Sequence, residues 1–209
     1  MESKFDLAVV ILTFELSEKL KKIKYTPKVC HKINDKTMIE IAVDTASKLE
    51  PSLIIILVSK YNITHINKAL KYSEHSKLIS FCMVDNSLLS ESNMKISLAK
   101  KCYENKNLLV IPGYCPLLSV KTLFRIISSN SSNSSNPHLI KIKDNLFYLP
   151  KELLDKVDKI NGVGHGSTHG FDNNINELEL REVNTLNDLE EIKEIIEKRK
   201  KAFSSIRKK

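Results

Sequence analysis

Four apolar runs, each seven or eight residues long and each followed by a segment of helical character, constrain this chain more than any other feature. They are "LAVVILTF" (7–14), "SLIIILVS" (52–59), "LISFCMV" (78–84) and "NLLVIPGY" (107–114). None alternates polar with apolar, so each reads as a strand buried on both faces rather than one with a wet side. Between them, "DKTMIEIAVDTASKL" (35–49) places Met38, Ile41, Ala42, Thr45 and Leu49 on one helical face. "ITHINKALKYS" (63–73), "ESNMKISLAKKCYEN" (91–105) and "SVKTLFRII" (119–127) read as further helices. Strand and helix alternating in this way predict a Rossmann-like α/β domain, a mostly parallel sheet with helices on both faces.

The last third is less regular. "SSNSSNSSNP" (128–137) is a low-complexity stretch with nothing to pack, and reads as a surface loop. "HLIKIKDNLFYL" predicts a hairpin around Asp144-Asn145, followed by a helix near 150–159. "NGVGHGSTHG" (161–170) holds four of the five glycines and reads as a flexible loop; His165 and His169 would share a face only in a helix, which those glycines oppose. "LELREV" (178–183) predicts a late strand. A final helix begins at Thr185, capped by that hydroxyl with Asp188 three residues on, and carries Leu186, Leu189, Ile192 and Ile196 as its buried stripe. The whole, residues 1–209, reads as one domain.

Charge narrows the partners. The net charge is +8, yet the last twelve residues, "KRKKAFSSIRKK" (198–209), hold seven Lys or Arg and no acid, which leaves 26 basic against 25 acidic residues elsewhere. The basicity therefore belongs to a tail, and nucleic acid is expected only through it. A solvated helix end is the plainer reading, since Lys and Arg also complement a helix C-terminus. No apolar stretch approaches the ~20 residues that cross a bilayer. The opening "MESKFD" has no charged-then-apolar leader, and the four cysteines (Cys30, Cys82, Cys102, Cys115) form no Cys-x-x-Cys pair. Both point to reduced thiols and a cytoplasmic location.

Three stretches carry more specific information. Pro27-Lys28-Val29-Cys30-His31-Lys32-Ile33 runs into Lys36-Thr37-Met38; "NLLVIPGYCPLLSVKTLFRII" spans 107–127; "LREVNTLNDLEEIKEII" spans 180–196. In that order they resemble the nucleotide-diphosphate-sugar pyrophosphorylases, a nucleotidyltransferase family whose motifs are P-K-V-L-H-x-I-x-G-K-P-M, G-D-x-P-L-I and V-N-T. Within the family the pattern is most similar to the uridylyltransferases that make UDP-N-acetylglucosamine. The resemblance implies a Rossmann-like fold of the glycosyltransferase-A type and a Mg²⁺-dependent reaction in which a sugar-1-phosphate oxygen attacks the α-phosphorus of UTP. Such chemistry rests on positioning and on neutralising charge.

Carried over residue by residue, the resemblance implies that Lys28 contacts phosphate and serves catalysis. The family's loop arginine corresponds to Lys19 counted forward from Leu12, or to Lys21 counted back from Pro27. Asn184 corresponds to a metal ligand, and Asp85 to the start of the base-reading segment, here "DNSLLSES" (85–92). Four departures accompany these matches. The family's loop glycines fall on Glu15 and Ser17, and no glycine lies between Leu12 and Pro27; the metal-binding aspartate falls on Tyr114; Gly-Thr of the base-reading segment becomes Ser90-Glu91; and the segment between Ile127 and His138 is shorter than the family's. A glutamate repels a triphosphate, side chains hold backbone amides away from phosphates, and a phenol is a poor Mg²⁺ ligand. The expectation is a pyrophosphorylase-like domain with a degenerate active site that binds at most UTP or a UDP-sugar, a pseudoenzyme without a resident cofactor. An active UTP:N-acetylglucosamine-1-phosphate uridylyltransferase using Mg²⁺ is the first alternative. An interaction protein acting through the basic tail is the second.

Overall fold

Residues 7–12 are apolar without exception, and in the fold every one of them is buried. They form β1 (Leu7–Leu12), an inner strand of a six-stranded sheet. The computed structural model describes residues 6–13, 26–84, 106–131, 139–143, 145–156 and 175–206. β4 (Leu53–Val58) and β6 (Asn107–Pro112) flank β1 in parallel, and β5 (Ile79–Met83) runs parallel to β4. On the other edge β7 (Ile140–Lys143) and β8 (Leu146–Leu149) make an antiparallel hairpin, with β8 antiparallel to β6. A connection of two residues is too short for a parallel crossover, so the hairpin reverses direction by necessity. Asp144, in its turn, lies outside the described residues.

The apolar runs of β1, β4 and β6 are explained by the two faces, whereas β5, expected to be buried on both, lies at the edge of the described sheet with Phe81 and Met83 exposed. Leu7, Val9 and Ile11 enter the larger core with Ile54, Ile56, Leu109 and Ile111. Ala8, Val10 and Leu12 enter a second core with Ile55, Leu57, Val110, Phe147 and Leu149. α1 (Met38–Ser47), α2 (Ile63–Leu70) and α3 (Val120–Ser131) all contribute to the larger one. Among the described residues no helix is long and apolar enough to cross a membrane.

Several boundaries differ from the sequence reading. The helix expected over 35–49 begins at Met38, because residues before it close a small hairpin, β2 (Lys32–Ile33) against β3 (Lys36–Thr37), turning at Asn34 with φ 55°. Thr37 and Glu40 then cap α1 reciprocally. The fully buried side of α1 is Met38, Ile39, Val43 and Ala46, while Ile41, Ala42 and Thr45 are only partly covered. The helix is clasped from two directions: Ile39, Val43 and Ala46 face the sheet, whereas Met38 and Ile41 meet the C-terminal helix. α3 continues to Ser131, four residues into the Ser/Asn tract expected as loop; Ser129 Oγ donates to the Ile126 carbonyl, a bond that serine makes within a helix.

The strand expected at 178–183 is absent. Asn176 Oδ1 accepts from the Leu178 amide and winds Glu177–Leu180 into a 3₁₀ turn, after which 181–184 run extended without a sheet partner. The helix expected near 150–159 is likewise a 3₁₀ segment over Lys151–Lys156. α4 (Leu186–Ile206) starts as the sequence predicts: Thr185 Oγ1 accepts from the Asp188 amide, and Asp188 Oδ2 from the Thr185 amide. Leu189 and Ile192 are buried and Ile196 packs beside them, but Leu186 points outward. The basic stretch is the end of this helix rather than a separate tail as far as Ile206, and residues 198–202 are exposed. The expected helix at 91–105 and the Gly/His loop at 161–170 lie outside the described residues.

Candidate functional site

Chain order places a crevice in this sheet. From β1 the chain moves outward to β4 and β5, then returns to β6 on the opposite side of β1. In open α/β sheets ligands bind beyond the carboxyl ends of the strands at such a reversal. Three segments meet at the carboxyl ends of β1 and β6: the turn Lys28–Cys30, the turn after β6 at Gly113-Tyr114-Cys115-Pro116, and the extended 181–184 segment that enters α4.

Each segment is fixed by backbone and packing. The Gly113 amide donates to the Leu12 carbonyl at 2.8 Å, joining the ends of β6 and β1. A Cβ on residue 113 would stand 3.0 Å from that carbonyl oxygen, 3.1 Å from Ile11 Cγ2 and 3.4 Å from Val29 Cγ1, so glycine is required for the close approach. Val29, fully buried, anchors the Lys28–Cys30 turn in the main core. The Val183 amide donates to the Tyr114 carbonyl at 3.2 Å, and the Val183 side chain packs with Ile33, Met38 and Leu189. Asn184 is held from below, its amide donating to Asp188 Oδ2 at 3.0 Å.

The result is a three-residue cluster drawn from distant parts of the chain. Lys28 Nζ donates to Asn184 Oδ1 at 2.5 Å and lies 4.1 Å from the centroid of the Tyr114 ring. Tyr114 is fully buried, and only 8% of Lys28 is exposed. A hydrogen bond from a charged donor contributes about 1.5–3 kcal/mol, and an ammonium over a desolvated ring about 2. The cluster thus stabilises the junction of all three segments and puts a positive charge at the crevice.

The sequence reading singled out Lys28, Tyr114 and Asn184 separately; the fold brings them together. Lys19, Lys21, Glu15, Ser17 and Asp85 lie outside the described residues, as do Ser90 and Glu91. A second polar cluster escaped the sequence reading. Thr13 Oγ1 donates to the Leu57 carbonyl at 2.5 Å and accepts from Asn62 Nδ2 at 3.0 Å, while Asn62 Oδ1 accepts from the Ser59 amide at 2.7 Å. All three side chains are buried, and together they tie the carboxyl ends of β1 and β4. The one available signal was a hydroxyl closing an otherwise apolar run.

Fit to a divalent metal can be tested on the donor set. Mg²⁺ and Mn²⁺ favour carboxylate oxygens. Here Tyr114, where the resemblance would set an aspartate, presents an aromatic ring, and the amide oxygen of Asn184 accepts from an ammonium. A divalent ion added at the same oxygen, roughly 4 Å from Lys28 Nζ, meets about 8 kcal/mol of repulsion at an effective dielectric constant near 20, twice the value for unit charges. Among the described residues no group of three His, Cys, Asp or Glu is placed to hold a metal. Among the described residues, the side chains at this junction do not fit a divalent cation.

No protein-family model matches the sequence. Solved structures do resemble the fold. 4-Diphosphocytidyl-2C-methyl-D-erythritol synthase from Anaerococcus prevotii matches with a TM-score of 0.62 at 15% identity, over 94% of this chain and 97% of that one. A nucleotidyl transferase from Methanothermobacter matches with a TM-score of 0.60 at 15% identity, over 90% and 96%. A protein of Mycobacterium tuberculosis H37Rv solved in complex with manganese matches with a TM-score of 0.50 at 13% identity, over 72% and 73%. At these identities the likeness is one of fold, and the chain has the α/β nucleotidyltransferase-like fold over most of its length.

Proposed function

We propose that this chain is a nucleotidyltransferase-like domain that binds a nucleotide or sugar nucleotide, UTP or a UDP-sugar, in the crevice between β1 and β6, and that its catalytic site is degenerate. The observation that carries the reading is the cluster itself. Lys28, from the segment that resembles the phosphate-contacting motif, lies by the carboxyl ends of β1 and β6 with its ammonium on Asn184. An arriving phosphate competes for that ammonium with a full negative charge, which a neutral amide oxygen lacks. Binding is therefore supported by a cation held in place before the ligand arrives.

Turnover is a different matter. Nucleotidyl transfer asks for charge neutralisation on the triphosphate as pyrophosphate leaves, and the loss of a metal's contribution removes several kcal/mol of it. Tyr114 supplies no ligand for that ion, and the loop between Leu12 and Pro27 supplies no glycine. The uridine preference rests on the resemblance to UDP-N-acetylglucosamine-forming enzymes and is part of the proposal.

Thermal-shift titration with UTP and with UDP-N-acetylglucosamine tests the reading. A ligand at a hundred times its dissociation constant adds about 2.7 kcal/mol, which for a domain of this size raises the melting midpoint by about 5–10 °C. Pyrophosphate release from UTP and N-acetylglucosamine-1-phosphate is expected to stay at background. No shift with either ligand overturns nucleotide binding, and steady pyrophosphate release overturns degeneracy.

A further inference from the structure

We infer that the ammonium of Lys28 has taken over the place of the divalent cation, so that this crevice captures phosphate groups without a metal ion. The inference rests on the nucleotide-binding reading and says how that binding is achieved.

Three observations converge on it. First, Asn184 Oδ1, the oxygen that the resemblance assigns to a metal, accepts from Lys28 Nζ at 2.5 Å. Second, the carboxylate that would complete a metal's shell is replaced by Tyr114, whose ring faces the same ammonium at 4.1 Å and attracts it through the negative potential over its face. A ring holds an organic cation well and supplies no σ-donor to Mg²⁺ or Mn²⁺ from that face. Third, the ammonium is built in. Val29 in the core, the Gly113–Leu12 bond and the Val183–Tyr114 bond hold the three segments that carry Lys28, Tyr114 and Asn184. Lys28 is not a long side chain wandering over the surface; 92% of it is covered. Among the described residues Asn184 offers the ammonium a neutral acceptor and Tyr114 an aromatic face, a pair that suits a monovalent organic cation better than a divalent ion.

The consequences differ from those of a metal-using fold. A metal ion bridges two phosphates and is exchanged with each ligand, whereas a lysine contributes one positive charge permanently. Affinity for UTP then follows the charge of Lys28 and is indifferent to chelator.

The experiment is isothermal titration of the full chain with UTP and with inorganic pyrophosphate, once in EDTA and once in millimolar Mn²⁺, together with a Mn²⁺ titration read by the loss of the free-ion EPR signal. The expected result is a UTP dissociation constant that agrees within about threefold between EDTA and Mn²⁺, and no Mn²⁺ uptake by the protein alone. Lys28→Met, which keeps the buried stem, weakens UTP at least tenfold in both buffers, and Lys28→Arg restores most of the loss. Circular dichroism confirms that each variant is folded. A tenfold or greater gain with Mn²⁺ that Asn184→Ala removes overturns the inference while leaving nucleotide binding intact. Absence of UTP binding in both buffers overturns the inference and the function proposed above together. The wild-type comparison decides the matter even if the Lys28 variants fail to fold.

Discussion

Thr13→Val removes a buried hydroxyl at the carboxyl end of β1 at almost constant volume. Thr13 donates to the Leu57 carbonyl and accepts from Asn62 Nδ2, and it is 5% exposed. The substitution therefore leaves an amide N–H and a share of a carbonyl without a partner in a buried setting. Each such loss costs about 1–3 kcal/mol, the carbonyl at the low end because it has a second lone pair. The extra buried methyl returns somewhat under about 1 kcal/mol. The net expectation is a loss of roughly 1.5–3 kcal/mol, read as a lowered urea midpoint with an unchanged slope. A double-mutant cycle with Asn62→Ala isolates the pair: Thr13→Val should cost at least about 1 kcal/mol less when the Asn62 amide is already gone. A single-mutant loss below about 0.5 kcal/mol, or a coupling below that figure, refutes the argument that this network ties β1 to β4.

Two further outcomes follow from the same geometry. Gly113→Ala forces a Cβ to within 3.0 Å of the Leu12 carbonyl oxygen, so overpacking of about 1–3 kcal/mol outweighs the smaller gain from a stiffer unfolded chain; thermal unfolding should show a lower midpoint and UTP titration a weaker affinity, because the turn that carries Tyr114 must shift. At Asp188 burial raises the pKa, but the Thr185 hydroxyl, the Asn184 and Thr185 amides and Arg181 together hold it below its ordinary value. A carboxylate lowered in the folded state stabilises above its unfolded value near 3.8 and loses that contribution as pH falls through the folded value. Asp188→Asn should therefore reduce stability at neutral pH and flatten the acid limb of the stability profile below about pH 4, measured by urea unfolding across pH.

How much of this was legible in the sequence depended on whether the signal was local. The strands β1, β4 and β6 were readable because each apolar run is buried on both faces, the environment that suits six consecutive apolar residues such as Leu7–Leu12; β5 was readable as a strand but not as an edge strand with Phe81 and Met83 exposed. The start of α4 was readable because a capping box is closed within four residues. The buried side of α1 was not, since the helix touches both the sheet and α4, and a single-stripe reading assigns it one face. The false strand at 178–183 has a similar cause. Its alternation of Leu and charged residues matches a strand, but Asn176 upstream winds the first half into a 3₁₀ turn, and the backbone bond from Val183 to Tyr114 reaches a turn rather than a strand.

The site shows the same division more sharply. Motif resemblance located Lys28, Tyr114 and Asn184 one at a time, but their contact spans 156 positions between Lys28 and Asn184 and depends on packing that no spacing reveals. Once that contact is on the page, Tyr114 changes meaning. Read alone, it is a lost metal ligand that one substitution could restore. In the fold it is a fully buried member of the main core, its ring against an ammonium and its carbonyl holding Val183. Tyr114→Asp would remove a large buried ring and place a carboxylate beside Lys28, which forms an ion pair rather than an open metal site. The difference from the motif that the sequence resembles is thus tied to stability as well as to chemistry. On the metal-free reading proposed above, metal use would require Lys28 to leave Asn184, the core to be refilled and a carboxylate to be added, three changes that are each unfavourable until the others are made.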